Sequence, residues 1–219
     1  IFSSGRLYIA DPSEFGLPDN VEKWQILNYT DNNSYEVLLN GFELDYQTRF
    51  WYLPGILNGL VLNANYTLIK SDVKYPRNIL DQFFDWDATP PGVITTVIDT
   101  FYLDRLIDQP KEIINISLGY DYKGFSGRLS MLYKTDVFKQ TNFWPELRES
   151  TDDYRRWDLS VKQKLPIKGL ELFFNGSNLT EATDVNRFRG STNVNVNKPA
   201  LTLEQYYGKT FDLGFKYFF

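Results

Sequence analysis

The sequence predicts an all-β protein, an antiparallel section of a transmembrane β-barrel with about eight strands, and three observations carry that expectation. Apolar side chains recur at every second residue through long segments, which is the period of a strand with two unlike faces. Tight turns alternate with much longer connections. Aromatic residues, with 5 Trp, 15 Tyr and 17 Phe in 219 residues, crowd the segment ends. A tilted strand needs ~9 to 11 residues to cross a hydrocarbon layer, and most of these segments have that length.

Taken in order, a short opening strand is expected near Phe2 to Ile9. The next segment sets Phe42, Leu44, Tyr46, Phe50 and Tyr52 against Glu43, Asp45, Gln47 and Arg49. The third sets Leu60, Leu62, Ala64, Tyr66 and Leu68 against Asn63, Asn65 and Thr67. Then come Ile114, Ile116, Leu118, Tyr120 and Tyr122 against Asn115, Ser117, Gly119 and Asp121, and Leu129, Met131 and Tyr133 against Arg128, Ser130 and Lys134. Trp157, Leu159, Val161 and Leu165 oppose Arg156, Asp158, Ser160, Lys162 and Lys164; Leu170, Leu172 and Phe174 oppose Glu171, Phe173, Asn175 and Ser177. The last segment has Phe211, Leu213, Phe215, Tyr217 and Phe219 on one face, with Thr210, Asp212, Gly214, Lys216 and Phe218 on the other. Helix is nearly absent, because Val, Ile, Tyr, Phe and Thr dominate these runs.

Short turns are expected at Pro54 to Gly59, Lys123 to Gly127 and Pro166 to Gly169. The intervening links, Asp11 to Asn33, Ser71 to Gln109, Val137 to Asp153 and Glu181 to Leu203, read as long loops. A bilayer gives backbone groups no hydrogen-bond partners, so spanning strands must close into a barrel whose outside is apolar and whose lumen can be wet. Half of each strand then faces water, which accommodates a mean hydropathy of −0.37. No segment approaches the ~20 apolar residues of a membrane helix.

With no His and no Cys, the chain lacks a Ser-His-Asp or Cys-His relay, an imidazole metal site and thiolate zinc. No carboxylate pair is marked by its spacing, so no catalytic residue, metal ligand or cofactor is expected, and the chain reads as a non-enzyme. A net charge of −5 and a pI near 4.9, with no Lys/Arg block, argue against a nucleic-acid partner. The first residue is Ile1, and no leader-like segment follows it, which reads as a processed product or a piece of a longer chain.

Several stretches resemble the C-terminal part of a TonB-dependent outer-membrane receptor. They are Asn40-Gly41-Phe42-Glu43-Leu44-Asp45-Tyr46, Leu60-Val61-Leu62-Asn63-Ala64-Asn65-Tyr66-Thr67, and Ile116-Ser117-Leu118-Gly119-Tyr120 leading to Gly124-Phe125-Ser126-Gly127-Arg128-Leu129-Ser130. Trp157-Asp158-Leu159-Ser160-Val161, Asn175-Gly176-Ser177-Asn178-Leu179-Thr180 and Tyr207-Gly208-Lys209-Thr210-Phe211-Asp212-Leu213-Gly214 before a terminal Phe add the family's closing order. The resemblance implies residues 1–219 are the last part of a 22-stranded barrel, with the plug domain and earlier strands outside this chain. It also implies TonB-energised uptake of a large scarce nutrient in the bacterial outer membrane. The implied partners are the lipid bilayer, the remainder of the barrel, the plug, TonB through the missing N-terminal region, and an extracellular ligand or surface lipoprotein.

The longest loop carries Tyr75, Phe83, Phe84, Trp86 and Phe101 with Asp81, Asp85, Asp87 and Asp99, a mixture suited to gripping a ligand between rings and acceptors. Phe143 and Trp144 in the next loop are further ligand-binding candidates, and Arg187 and Arg189 in the last carry less weight. A loop that buries its own aromatics is the plainer alternative. The three Asp residues at 81, 85 and 87 lack the donor spacing of a calcium loop and read as a solvated surface. Asn65-Tyr66-Thr67, Asn115-Ile116-Ser117 and Asn178-Leu179-Thr180 match the glycosylation pattern but lie within expected strands and are read as chance. Two other architectures stay open: a complete eight-stranded barrel with a structural or adhesion role, and a soluble β-sandwich binding module.

Overall fold

The computed structural model describes residues 2–3, 6–7, 13, 32–87, 89–142, 145–190 and 199–219. The described chain is all-β and antiparallel. Seven of the eight expected strands are present in one open sheet: β3 (Val37–Arg49), β4 (Leu60–Asp85), β6 (Glu112–Tyr122), β7 (Phe125–Lys134), β10 (Tyr154–Lys164), β11 (Leu170–Ser177) and β14 (Thr210–Tyr217). The strand order is β14-β11-β10-β7-β6-β4-β3, and the eighth member is β5 (Gly92–Asp104), which pairs with β4.

Two expectations are corrected here. In the opening segment the described residues are not paired with the sheet: they form β1 (Phe2–Ser3) and β2 (Arg6–Leu7), which pair with each other. The stretch from Ser71 to Gln109 is largely a hairpin rather than a loop. β4 runs for 26 residues, pairing with β6 over Leu60–Leu68 and then with β5 over Val73–Asp85. Beyond Leu68 apolar and polar residues share both faces, so the alternation that marks the sheet is lost although the strand continues. Ile79 opposes Ile98 on one face of the hairpin and Leu80 opposes Val97 on the other.

Ladder register puts the apolar sets of all seven strands on one face. One row reads Leu213, Phe174, Val161, Gly127, Tyr120, Leu60 across six strands. The next reads Phe211, Gly176, Leu159, Leu129, Leu118, Leu62, Thr48 across all seven. A third reads Trp157, Met131, Ile116, Ala64, Tyr46. On the opposite face the same ladders align Asp158, Ser130, Ser117, Asn63 and Gln47. Since a one-residue slip would invert a strand's faces, seven strands agreeing is a strong constraint on the fold.

Turn chemistry explains why the short connections share one end. Lys123 and Gly124 both have positive φ, 45° and 84°, as a two-residue turn between twisted strands requires. Lys164 N–H donates to Gly124 O at 2.9 Å, and Phe218 N–H donates to Gly169 O at 2.8 Å, tying the second and third turns and the C-terminus together. Gly169 has φ 78°, and a Cβ there would meet Phe218 O at 2.3 Å, so no other residue fits without rearrangement. β3 stops at Arg49, earlier than expected, because Leu53 N–H turns back to Phe50 O at 3.1 Å.

The long connections hold a second sheet that the sequence did not announce. β8 (Phe138–Gln140), β9 (Glu149–Thr151), β12 (Thr183–Phe188) and β13 (Leu201–Tyr206) form it, in the order β13-β12-β9-β8. The hydrophobic cluster of the described residues also sits at this end: Val73, Tyr75 and Phe138 are buried, with Tyr102, Leu106 and Ile107 packed around them.

Asn178 locks the start of the last long connection. It is 6% exposed and adopts φ 53°, a left-handed conformation that Asn tolerates better than most residues. Its Nδ2 donates to Ala182 O at 3.1 Å and Gly208 O at 2.9 Å, while its Oδ1 accepts from Ala182 N–H at 2.7 Å. Its own N–H donates to Asp158 Oδ1 at 2.9 Å, anchoring it to β10. Asn178→Ala would strand three backbone groups and is expected to cost about 2–3 kcal/mol, against less than about 1 kcal/mol for Asn65→Ala, which loses a weaker surface network. Urea unfolding of both variants, reconstituted side by side, measures the difference.

Candidate functional site

Two surfaces of the described residues carry polar chemistry. The first is the polar face of the sheet. Ser130 Oγ donates to Ser117 Oγ at 3.0 Å, Ser160 Oγ to Asn175 Oδ1 at 2.8 Å, and Asn65 Nδ2 to Glu43 Oε1 at 3.0 Å. The Arg128 guanidinium forks onto Asp121 at 2.9 and 2.6 Å, and Arg156 Nε reaches Asp158 at 3.0 Å. A shallow depression of about 320 Å³ on this sheet is lined by Asp45, Asn65, Ser117, Ser130, Arg156 and Asp158. Such side-chain pairs between neighbouring strands stabilise the sheet.

The second surface is the long-connection end, where rings and guanidinium groups stack into a ladder. Tyr75 and Tyr102 are directly paired across the β4–β5 hairpin, with ring centroids 5.3 Å apart and planes at 24°. Phe138 sets its ring against Tyr75 at 5.7 Å and 80°. Arg148 lies over the other side of the ladder, its Cζ 3.4 Å from the Tyr102 centroid, and Arg189 lies 4.4 Å from the Phe138 centroid. A cation over a ring face is attracted by the ring quadrupole, so both ends of the stack are held by charge.

Polar contacts fix the ladder to its surroundings. Tyr75 Oη donates to Arg105 O at 3.1 Å and accepts from Ile107 N–H at 3.2 Å; Ser71 Oγ accepts from Leu106 N–H at 2.9 Å. Arg189 pairs with Asp104 at 2.5 Å and reaches Ser150 Oγ at 2.8 Å, joining the hairpin to the second sheet. The Arg105 guanidinium forks onto Asp136, and Arg187 pairs with Asp152 at 2.8 Å. Between these pairs runs an open cleft of about 640 Å³ lined by Arg105, Asp136, Asp152, Arg187, Phe188 and Arg189.

Burial shifts the titratable members. Desolvation pushes Tyr102 up to about 12, with Arg148 opposing that shift, and burial raises Tyr75 as well. Burial likewise lowers Arg148, and the nearby charges of Arg77 and Arg189 push in the same direction against Tyr102 and Asp104. Among the described residues no group of three or more His, Cys, Asp or Glu is placed to hold a metal ion.

The residues singled out from the sequence fall in different places. Tyr75 is 7% exposed and belongs to the ladder, so its ring is a structural support rather than an open face. Phe83, Phe84 and Trp86 lie at the hairpin's far end, about 30 Å along the strand from Tyr75 at the usual rise per residue. There Phe84 and Trp86 form a ring pair at 4.4 Å, Trp86 is 78% exposed, and Phe83 points to the opposite face. Asp85 Oδ1 accepts from Asp87 N–H at 2.9 Å and so shapes the tip's turn. Phe101 packs on Tyr35 at 5.4 Å beneath Lys74. Phe143 and Trp144 lie outside the described residues. Sequence reasoning passed over Tyr102, Phe138 and Arg148; the run Val93 to Ile98, β-branched and preceded by Pro90-Pro91-Gly92, was the signal for a strand that would have put Tyr102 opposite Tyr75.

Comparison of the chain with protein-family models, with curated proteins and with solved structures gave no match.

Because the Tyr102 hydroxyl titrates higher in the folded chain than in the unfolded one, its contribution to stability is complete below pH 10. That contribution declines as pH rises through the window from 10 to about 12. Its Oη has no hydrogen-bond partner among the described residues. Tyr102→Phe is therefore expected to leave stability at pH 7 unchanged or slightly higher and to flatten the alkaline loss; unfolding midpoints at pH 7, 10 and 11.5 check both.

Proposed function

We propose that this chain is the C-terminal wall of an outer-membrane β-barrel receptor of the TonB-dependent kind, a non-enzymatic importer of a large scarce nutrient. The observation that carries this reading is the single apolar face, aligned across seven strands, exposed on β3, β6, β7 and β14 and half-buried on β4, β10 and β11. Phe42, Leu44, Tyr46, Ile116, Leu118, Leu129, Phe211 and Phe215 are all exposed on it, and Leu213 is 71% exposed. An apolar surface this extensive marks contact with lipid or with another protein layer. Lipid fits best, because the opposite face is a continuous polar network suited to an aqueous lumen.

The open edges support a large barrel over a small one. Among the described residues β14 pairs with β11 alone and β3 with β4 alone, so the first and last strands of the sheet do not pair with each other. An eight-stranded barrel requires that closure. A β-sandwich requires a second sheet on the apolar face, and the four-stranded sheet instead joins the long-connection end through Arg189–Asp104 and Lys134–Asp184. In a bilayer the free edges of β3 and β14 need partner strands, which the remaining barrel supplies in this reading.

The motif order noted above completes the argument for the family. Under it, the short turns lie on the periplasmic side, the hairpin and second sheet lie outside the cell, and Phe84 and Trp86 meet a ligand or a surface lipoprotein. TonB and the plug act through polypeptide outside these residues.

Single Cys substitutions in intact cells test the orientation: Asp85→Cys is expected to react with a membrane-impermeant maleimide and Lys168→Cys to be protected, whereas the reverse pattern refutes it. Folding titrations into lipid vesicles test the lipid face. Leu213→Arg is expected to cost about 2–4 kcal/mol and Asp212→Arg clearly less, and equal costs would return the sandwich to contention.

A further inference from the structure

We propose that Arg148, against the Tyr102 ring, and Arg77, two residues along β4 from the Tyr75 that pairs with Tyr102, form a binding site for an oxyanion, a phosphate or carboxylate group, at the long-connection end. The inference stands whether or not the sheet crosses a membrane. Arg148 is 9% exposed, and its Nε and Nη2 touch neither a hydrogen-bond acceptor nor solvent. Those two nitrogens form one edge of the guanidinium fork, the edge that grips two oxygens of a carboxylate or phosphate at once.

Neighbouring atoms repeat the deficit. Arg77 Nε and Tyr102 Oη are buried without a partner as well. Arg77 stands on the same face of the hairpin as Tyr75, two residues on, and Tyr102 is paired opposite Tyr75. Three of these four stranded atoms can only donate and the fourth, the Tyr102 hydroxyl, can donate as well, so an acceptor would satisfy all four. Charge agrees with that count: Asp104, the carboxylate next to the cluster, is already engaged by Arg189 at 2.5 Å, leaving Arg77 and Arg148 without an ion-pair partner among the described residues. A buried cation such as Arg148, with the like charge of half-buried Arg77 acting on it, is costly unless a counter-charge joins it. The Tyr102 ring fixes the orientation of the Arg148 fork from one face, at 3.4 Å, and leaves its edge for the anion.

The test uses the complete protein in maltoside micelles, which carry no phosphate, titrated at constant ionic strength with inorganic phosphate and, separately, citrate. The wild type is expected to melt at a higher temperature with one or both anions and to bind with a measurable heat. Arg77→Gln and Arg148→Lys are expected to weaken binding by about tenfold or more, because each removes donors from a charge-assisted fork. Arg148→Met is expected to abolish the response and, in anion-free buffer, to melt at or above the wild-type temperature, since it removes an unpaired buried charge. A rise produced by phosphatidylglycerol in the micelles, without free anion, assigns the phosphate to a lipid head group and still supports the site. If neither anions nor the lipid move the wild-type melting temperature, the proposal fails. It fails equally if Arg148→Met lowers that temperature by the same amount with and without phosphate, as a purely structural strut would.

Discussion

Ladder register governs this structure. A β-strand turns successive side chains to opposite faces, so an apolar surface spanning seven strands exists only if every neighbouring pair is aligned to the same parity. From Leu213 on β14 to Tyr46 on β3 that condition holds at each junction. The three short turns enforce it. The left-handed pair Lys123 and Gly124 and the crowded Gly169 each fix how many residues separate one strand from the next.

Register also explains why the sheet divides its labour. Residues that alternate with the apolar set form short-range cross-strand pairs, such as Ser117 with Ser130 and Arg128 with Asp121, which saturate one another and leave a polar wall. Past Leu68 the alternation ends. The chain there stops serving a two-sided sheet and builds its own packed unit, with Tyr75, Tyr102 and Phe138 stacked between Arg148 and Arg189. Rigidity at that end comes from ring stacking and ion pairs rather than from a large apolar core.

Much of the sheet was legible in the sequence because its signal is local: seven alternating segments translate directly into seven strands. β5 escaped because both faces of the hairpin are mixed, so the run from Val93 to Ile98 shows β-branched composition without alternation. β8, β9, β12 and β13 escaped because strands of three to six residues carry too few alternations to register. The candidate site was legible only as composition. Aromatic richness between Ser71 and Gln109 pointed to the right segment, but which rings are buried depends on cross-strand partners far away in sequence. Tyr75 reaches Phe138 and Arg105, while the ring partner of Trp86 among the described residues is the nearby Phe84. Asn178 shows the same limit: a tripeptide that resembles a modification signal is a buried corner whose partners, Asp158 and Gly208, lie 20 and 30 residues away.

The account rests on the apolar face meeting lipid while the polar face meets water, and site-directed spin labelling along β14 measures that directly. Nitroxides placed one at a time from Thr210 to Tyr217 in the reconstituted protein report collisions with dissolved oxygen, which concentrates in lipid, and with a water-soluble nickel chelate. The account predicts oxygen-rich, nickel-poor signals at 211, 213 and 215 and the reverse at 210, 212 and 214, alternating along the strand. Nickel access at every position, or protection from both reagents at the odd ones, would mean that the apolar face meets water or another protein layer and would contradict it.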